Sequence, residues 1–478
     1  MFFLDFLDAI SVYRHKASKG NQSSGVMMRY LKNHLRAFAF VKHLDLILLS
    51  ISVTINIILL FVFIHRPYFW DELLYVWLAW GVRQDPSLLV DRSVAGWVPH
   101  PPLFWYYLAA TWILPVRLSV FILHMSLIIL LFFVLRRYSE KNPWACLAVA
   151  LILVNPLVVQ YNFTIFNDLA SSITTVISTV AYVTGRKYKK DKWVLLSLVF
   201  AILTGLLKYL YYFLLLVFIA SYELLGLSGR DFRRMSIILM SACLLSPLYY
   251  QMYLIARGYR LYKNPIYFVS RSGFWSYMYS ILTNIYLIAL YMTVLAAFHI
   301  YLLTMDIDKF KEQPRIPMIF CIATTLNIAV PILLMGIPWI DEKLSTDLRT
   351  LFQKYGLSIF YFERIPRWLS YIHIVLSIIA TFAFAILIVR YYDIESELKL
   401  AILVYIFGAI IFPTFRDGYL LTGTIMLILA WSRKAKNNTK KVAIYCVSLI
   451  LLVPCLMFGY ASYIQWEMYD SWQIPKQP

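Results

Sequence analysis

From residue 44 to residue 463 the chain returns repeatedly to apolar runs, and this feature limits its fold more than any other. A hydrocarbon core of about 30 Å needs about 20 residues of helix to cross it. Runs approaching or exceeding that length lie at 44–64, 117–135, 145–163, 168–184, 193–207, 209–226, 235–256, 276–304, 316–336, 368–390, 400–414, 418–432 and 441–463. That makes about thirteen candidate spans, with little room between them for a globular domain. Composition agrees: 61% of residues are hydrophobic, 14% are charged and the mean hydropathy is +0.69, values unsuited to a water-soluble surface. The expected fold is therefore all-α and polytopic. Interfacial helices are expected in the first outer loop, and no sizeable soluble domain is expected after the last run.

The basic excess, 44 Lys+Arg against 25 Asp+Glu, would suggest nucleic acid in a soluble protein. Here the charges sit in short loops between apolar runs, where they act as topology signals facing anionic headgroups. Arg136-Arg137 with Lys141, Arg186-Lys187 with Lys189-Lys190 and Lys192, Arg230 with Arg233-Arg234, and Arg433-Lys434 with Lys440-Lys441 all fall on the cytoplasmic side under one assignment. The amino terminus is then inside, and residues 103–114 lie along the outer interface without crossing. This gives a basic cytoplasmic segment at 1–43, a transmembrane domain at 44–463 and a short outer tail at 464–478. The first forty residues offer no apolar core of the kind a cleavable signal peptide carries. Residues 65–116, 257–275 and 337–367, with the turns near 163–168 and 416–418, fall outside. The two longest of these loops interleave Trp, Tyr and Phe with charges, as interfacial helices do. The five cysteines all lie in apolar runs without C-x-x-C spacing and read as packing residues.

Five features could carry chemistry. Asp71-Glu72 follows closely on the first span. A carboxylate there, partly desolvated, suits a general base, although acids in the first turn of a helix also simply complement its dipole. His100 precedes Pro101-Pro102, which stiffen the chain ahead of an aromatic stretch, and it reads equally as an ordinary interfacial histidine. Asp168 stands at the outer end of an apolar hairpin, and Lys208 separates two apolar runs. Ionisable groups near membrane depth are functional hypotheses by default, with capping or snorkelling as the plainer reading. Arg416 lies in an outer turn, where a guanidinium can grip phosphate bidentately. The topology drawn from cytoplasmic charges alone brings Asp71, His100, Asp168, Lys208 and Arg416 to one side. Acids facing cations beside long apolar walls suit a substrate with a phosphate head, a polar reacting group and a lipid tail. The loop bearing Arg257, Arg260, Lys263 and Arg271 is a further candidate for phosphate or acceptor binding, or merely a basic interfacial loop.

On these residues the sequence resembles the membrane-embedded glycosyltransferases of the GT-C class, in particular protein O-mannosyltransferases and lipid A aminoarabinose transferases. The resemblance covers most of the chain and is most specific over residues 65–215. Asp71-Glu72 matches the Asp-Glu pair after the first span, and His100-Pro101-Pro102-Leu103 matches a charged residue before Pro-Pro-Leu. Asp168 matches a second aspartate at the outer end of a later hairpin, and Gly205 to Tyr209 loosely matches a glycine-to-lysine step. Arg416-Asp417-Gly418-Tyr419-Leu420-Leu421 resembles an Arg-x-x-Tyr-Leu-Leu-Pro motif without its final proline. Where the aminoarabinose enzymes carry lysine before Pro-Pro, this chain has His100.

The resemblance implies transfer of a sugar from a polyprenyl-phosphate donor, of dolichyl or undecaprenyl type, to a protein, lipid or glycan acceptor on the outer face of the cell membrane, with inversion. Asp71 would be the base, with Glu72 and Asp168 orienting it or binding the acceptor. Lys208, Arg416 and His100 would neutralise the lipid phosphate, with Tyr209 and Tyr419 lining the site. No obligatory cofactor or metal is expected, although Asp71 with Asp168 and a water shell offers a site for a divalent ion. The rival reading is a transporter or flippase for a lipid-linked sugar, since buried charges also line transport pathways. A structural scaffold has no need for acids and bases gathered on one face.

Overall fold

The computed structural model describes residues 44–64, 70–84, 103–138, 144–225, 367–391, 395–408 and 417–435, with scattered helical positions between 274 and 326. The chain divides after Ile47, and every contact below lies within the unit from Leu48 onward. Among the described residues all regular structure is helical: α1 Leu44–Phe63, α2 Trp70–Gln84, α3 Leu103–Ala110, α4 Val116–Tyr138, α5 Trp144–Val154, α6 Pro156–Asn162, α7 Asp168–Tyr188, α8 Asp191–Leu207, α9 Tyr209–Leu224, α10 Arg367–Ile386, α11 Ser396–Phe407 and α12 Leu421–Ala435. A π-helical turn, Leu387–Tyr391, ends α10, and a 3-10 turn, Asp417–Leu420, opens α12. The candidate spans at 235–256 and 441–463, the expected loop 337–367 except for its final Arg367, and the two terminal segments lie outside the described residues. So do the spans at 276–304 and 316–336, apart from scattered positions, of which Phe320 stacks on Phe384 of α10 at 5.6 Å.

Among the described residues two helical stretches, Leu46–Phe63 and Val116–Tyr138, are long and apolar enough to cross a membrane. The surface around them is apolar: Phe61, Val62, Phe133, Leu195 and Phe382 are all more than half exposed. The interior holds Ser, Thr, Asn, Glu, Arg and Lys. The interior is mostly apolar as well, so the buried ions and amides stand out against it, and the exposed apolar side chains suit helices that meet lipid.

The centre is α7, which is buried from Asp168 to Arg186. Its Ser and Thr side chains return hydrogen bonds to their own helix, as Thr175 Oγ1 does to Ser171 O at 2.6 Å, and reach across to neighbours. Thr204 donates to Thr174 at 2.9 Å, and Ser178 donates to Ser197 O at 2.8 Å. Because these contacts run in opposite order, α7 and α8 are antiparallel. Asp168 meets Tyr211 while Arg186 meets Glu223, so α7 and α9 are parallel. Thr179 meets Tyr405 and Lys187 meets Glu395, so α11 is antiparallel to α7. Small and hydroxylated residues let helices in lipid approach closely where burial of apolar area offers little drive.

The apolar run at 145–163 is expected from its hydropathy to be one span, but it is two helices. Pro156 has no N–H to continue the ladder, and the Asn155 side chain caps the second helix by accepting from Leu157 N at 3.1 Å and Val158 N at 3.4 Å. Helix α3, at eight residues, is about 12 Å long and too short to cross. It buries Phe104, Trp105 and Leu108.

The turn between α7 and α8 depends on Gly185. A Cβ there would lie 2.7 Å from Val194 Cγ2 and 2.9 Å from Val194 N. Alanine in place of glycine inside a helix ordinarily stabilises by about 1 kcal/mol. At this position we expect the opposite sign, so that Gly185→Ala lowers the midpoint of thermal unfolding in detergent. An unchanged or raised midpoint would contradict the close approach.

Candidate functional site

Two clusters of ions occupy opposite ends of α7, which at 21 residues is about 30 Å long. One end holds the basic ends of α4, α7 and α12, with Arg186 on Glu223 at 2.7 Å and Lys187 on Glu395 at 3.1 Å. Tyr138 also donates to Glu395, at 2.7 Å, and Tyr182 donates to Glu223. The other end holds Asp168, Lys208, Glu72 and Arg117, all buried. Three basic segments expected to share one face, at 136, 186 and 433, thus meet at one pole, and the expected site residues that are described meet at the other.

Lys208 is the single residue joining α8 to α9, in extended backbone (φ −161°, ψ 123°). That break aims a lysine inward at the apex of a tight antiparallel hairpin. Its Nζ donates to Asp168 Oδ1 at 2.5 Å, and both side chains are 2% exposed. The ammonium also lies 5.3 Å from the centre of the Tyr419 ring and 5.8 Å from that of Tyr211. A buried cation so held is neutralised by its carboxylate and solvated by two π faces in place of water. Asp168 is the first residue of α7. The preceding Asn167 donates to Leu207 O at 2.6 Å and accepts from the Tyr75 hydroxyl of α2 at 3.3 Å.

Beside this pair, Glu72 receives both arms of the Arg117 guanidinium: Nη1 to Oε1 and Nη2 to Oε2, each at 2.8 Å. Arg117 Nη1 also donates to Phe163 O at 2.7 Å, and Ile165 N donates to Glu72 Oε1 at 3.0 Å. The irregular segment between α6 and α7 is therefore clamped to α2 on one side and to α4 on the other. Glu72 acts here as the anchor of α2. Asp71 is the second residue of α2, so the same anchor fixes the backbone on which it stands.

Of the residues singled out in the sequence, Asp168, Lys208 and Tyr419 are in contact, Glu72 is close by on α2, and Tyr209 begins α9 next to Lys208. The Asp71 side chain, His100, Arg257, Arg260, Lys263 and Arg416 lie outside what the structure describes. Arg117, Tyr161 and Tyr211 are not among the residues that the sequence marks for this site. Arg117 carried a signal: an arginine at the start of an apolar run, two residues after Pro115, calls for an acid partner. Among the described residues no three His, Cys, Asp or Glu side chains come together as metal ligands. Cys146 is half-buried in α5, and the other four cysteines are outside the described residues.

No protein-family model matches the chain, and neither a curated protein nor a solved structure does so. The functional reading therefore rests on the geometry and on the motifs.

Breaking a buried ion pair from one side leaves an uncompensated charge, at about 3–5 kcal/mol. Glu72→Met and Arg117→Met should each lower thermal stability in detergent strongly. The double variant should cost clearly less than the sum of the two. Strict additivity would show that the pair is not coupled.

Proposed function

We propose that the protein is a polytopic glycosyltransferase that moves a sugar from a polyprenyl-phosphate donor to an acceptor at the outer face of the cell membrane, its amino terminus being cytosolic. One observation carries the reading. A buried acid and a buried cation, Asp168 and Lys208, stand at one end of the bundle beside the helix that opens with Asp71-Glu72. The separation of the basic clusters to the opposite end supports this orientation.

In the proposed reaction Asp71 takes the proton from an acceptor hydroxyl or amine. The freed lone pair attacks the anomeric carbon while the bond from that carbon to the phosphate oxygen breaks. The electron pair leaves with polyprenyl phosphate, and the configuration inverts. Phosphate is a good leaving group, so no separate acid is required, and positioning with charge stabilisation supplies most of the acceleration. Lys208 is the described cation for this task, assisted by Arg416 and His100. An ammonium has three donor hydrogens, so Lys208 can bridge Asp168 and a phosphate oxygen together. Asp168 then sets the position of the cation, Tyr209 and Tyr419 line the site, and the loop of Arg257, Arg260 and Lys263 receives donor phosphate or acceptor. Should a divalent ion take part, Asp71 and Asp168 are its candidate ligands.

A transporter of a lipid-linked sugar is the second reading, and the helix interrupted at Asn155-Pro156 favours it, since transport sites are often built at broken helices. Among the described residues that break has no counterpart in a second repeat. The two readings part in one assay: the protein in nanodiscs, a panel of polyprenyl-phosphate sugars, and release of free polyprenyl phosphate followed by mass spectrometry. Removing a general base costs about 10²–10⁴-fold, so Asp71→Asn should abolish measurable release. Lys208→Met should lower it by about 10²-fold or more. Movement of lipid-linked sugar between leaflets without any release, equal in wild type and Asp71→Asn, would replace the transferase by the transporter.

A further inference from the structure

Gly418 is held at both ends of its own residue by tyrosines from different helices. Its N–H donates to the Tyr161 hydroxyl at 2.9 Å, and its carbonyl accepts from the Tyr211 hydroxyl at 2.5 Å. Tyr161 is in the last turn of α6 and Tyr211 in the first turn of α9, and both are buried. No side chain fits at Gly418: a Cβ would lie 2.8 Å from Tyr161 Oη and 3.0 Å from Asp168 Cγ. The next residue is Tyr419, whose ring covers the Lys208 ammonium. Tyr211 also touches Asp168 Oδ1 at 2.9 Å. A phenol has one proton, so Tyr211 divides it between a carboxylate that belongs to the ion pair and the carbonyl of Gly418.

We infer that Tyr161, Tyr211 and Gly418 form a positioning clamp, which seats the turn before α12 against the Asp168–Lys208 pair and thereby sets the affinity of that pole for a lipid phosphate headgroup. The inference rests on the reading of the pole as the polyprenyl-phosphate site. The physical ground is rigidity. Lys208 is placed by a carboxylate from α7 and by an aromatic ring from the turn before α12, and that ring is only as well placed as the peptide preceding it. Two hydrogen bonds to one buried residue fix that peptide without any contact to the ligand. The three groups are positioning residues, and their loss should weaken binding while leaving the bundle folded.

Tyr161→Phe removes one hydroxyl and keeps the ring that packs on Phe166. Gly418→Ala keeps both hydroxyls and forces the turn away. Two measurements are made on the full chain in nanodiscs. The first is hydrogen exchange over the segment around Gly418, followed by mass spectrometry. The second is binding of decaprenyl phosphate against decaprenol, which has the same tail and no phosphate. A lost hydrogen bond typically removes about 1 kcal/mol, so Tyr161→Phe should exchange faster at Gly418 and bind decaprenyl phosphate about five-fold more weakly. Decaprenol binding and the unfolding midpoint should stay near the wild-type values. Gly418→Ala should bind more weakly still. If the wild type prefers decaprenyl phosphate to decaprenol and both variants bind it equally well, the clamp is purely structural and the inference is overturned. If the wild type shows no preference for the phosphate, the reading of the pole itself fails, and the inference with it.

Discussion

A lysine ammonium that is 2% exposed needs an anion within reach, and in this bundle the anion is Asp168. Neither group would keep its charge there alone, because the cost of stripping water from an ion far exceeds what nearby dipoles return. The pair therefore dictates where three pieces of chain must be. The hairpin apex at Lys208 has to meet the start of α7. The α7 start is in turn fixed through Asn167 to Leu207 O and to Tyr75 of α2. The turn before α12 has to bring Tyr419 over the ammonium and Gly418 under the Tyr211 hydroxyl.

The rest of the bundle follows the same logic of solvation in lipid. Ions sit in pairs at the two ends of α7, hydroxyls fill the length between, and bare apolar side chains face outward. The hydroxyl-rich helix is central because its side chains can satisfy themselves on their own backbone, through bonds from Oγ to the carbonyl four residues earlier. They leave small, smooth faces against which α4, α8, α9 and α12 can pack. The same hydroxyls lower the apolar character of α7, so this enclosed helix is not one of the two that, among the described residues, are apolar enough to cross a membrane by composition.

Helix positions were legible in the sequence wherever an apolar run ended in charge. Expected runs at 117–135, 193–207 and 209–226 lie within or close to α4, α8 and α9, and their ends are marked by Arg136, Asp191 and Lys208. Asp168 and Lys208 stood out in the sequence because a charge interrupting apolar sequence is costly wherever it lands, and the structure pairs them. What sequence concealed is pairing at a distance. Arg117 and Glu72 are 45 positions apart, and nothing local says that the second acid of an adjacent pair is reserved for an arginine on another helix. Tyr161 and Tyr211 were hidden differently, among 36 tyrosines, since only the geometry separates a hydroxyl that holds a peptide from one that lines a surface. The break at Asn155-Pro156 was written plainly in the sequence but was outvoted by the hydropathy of the residues on both sides.

The pairing of Lys208 also bears on how the proposed chemistry would work. In the resting site the ammonium is already neutralised, so it offers little net attraction to a donor, and a sugar phosphodiester carries about one negative charge. As the anomeric bond breaks, the departing lipid phosphate becomes a monoester with a charge nearer to two. A cation placed at that oxygen therefore interacts more strongly with the transition state than with the bound donor, which is the condition for accelerating the step rather than merely tightening binding. A lone lysine in the same place would hold the doubly charged product tightly and slow its release. Asp168, by sharing the ammonium, moderates that attraction. On the proposed reading, the counter-ion that the fold requires to bury Lys208 also keeps that lysine from holding the product too long.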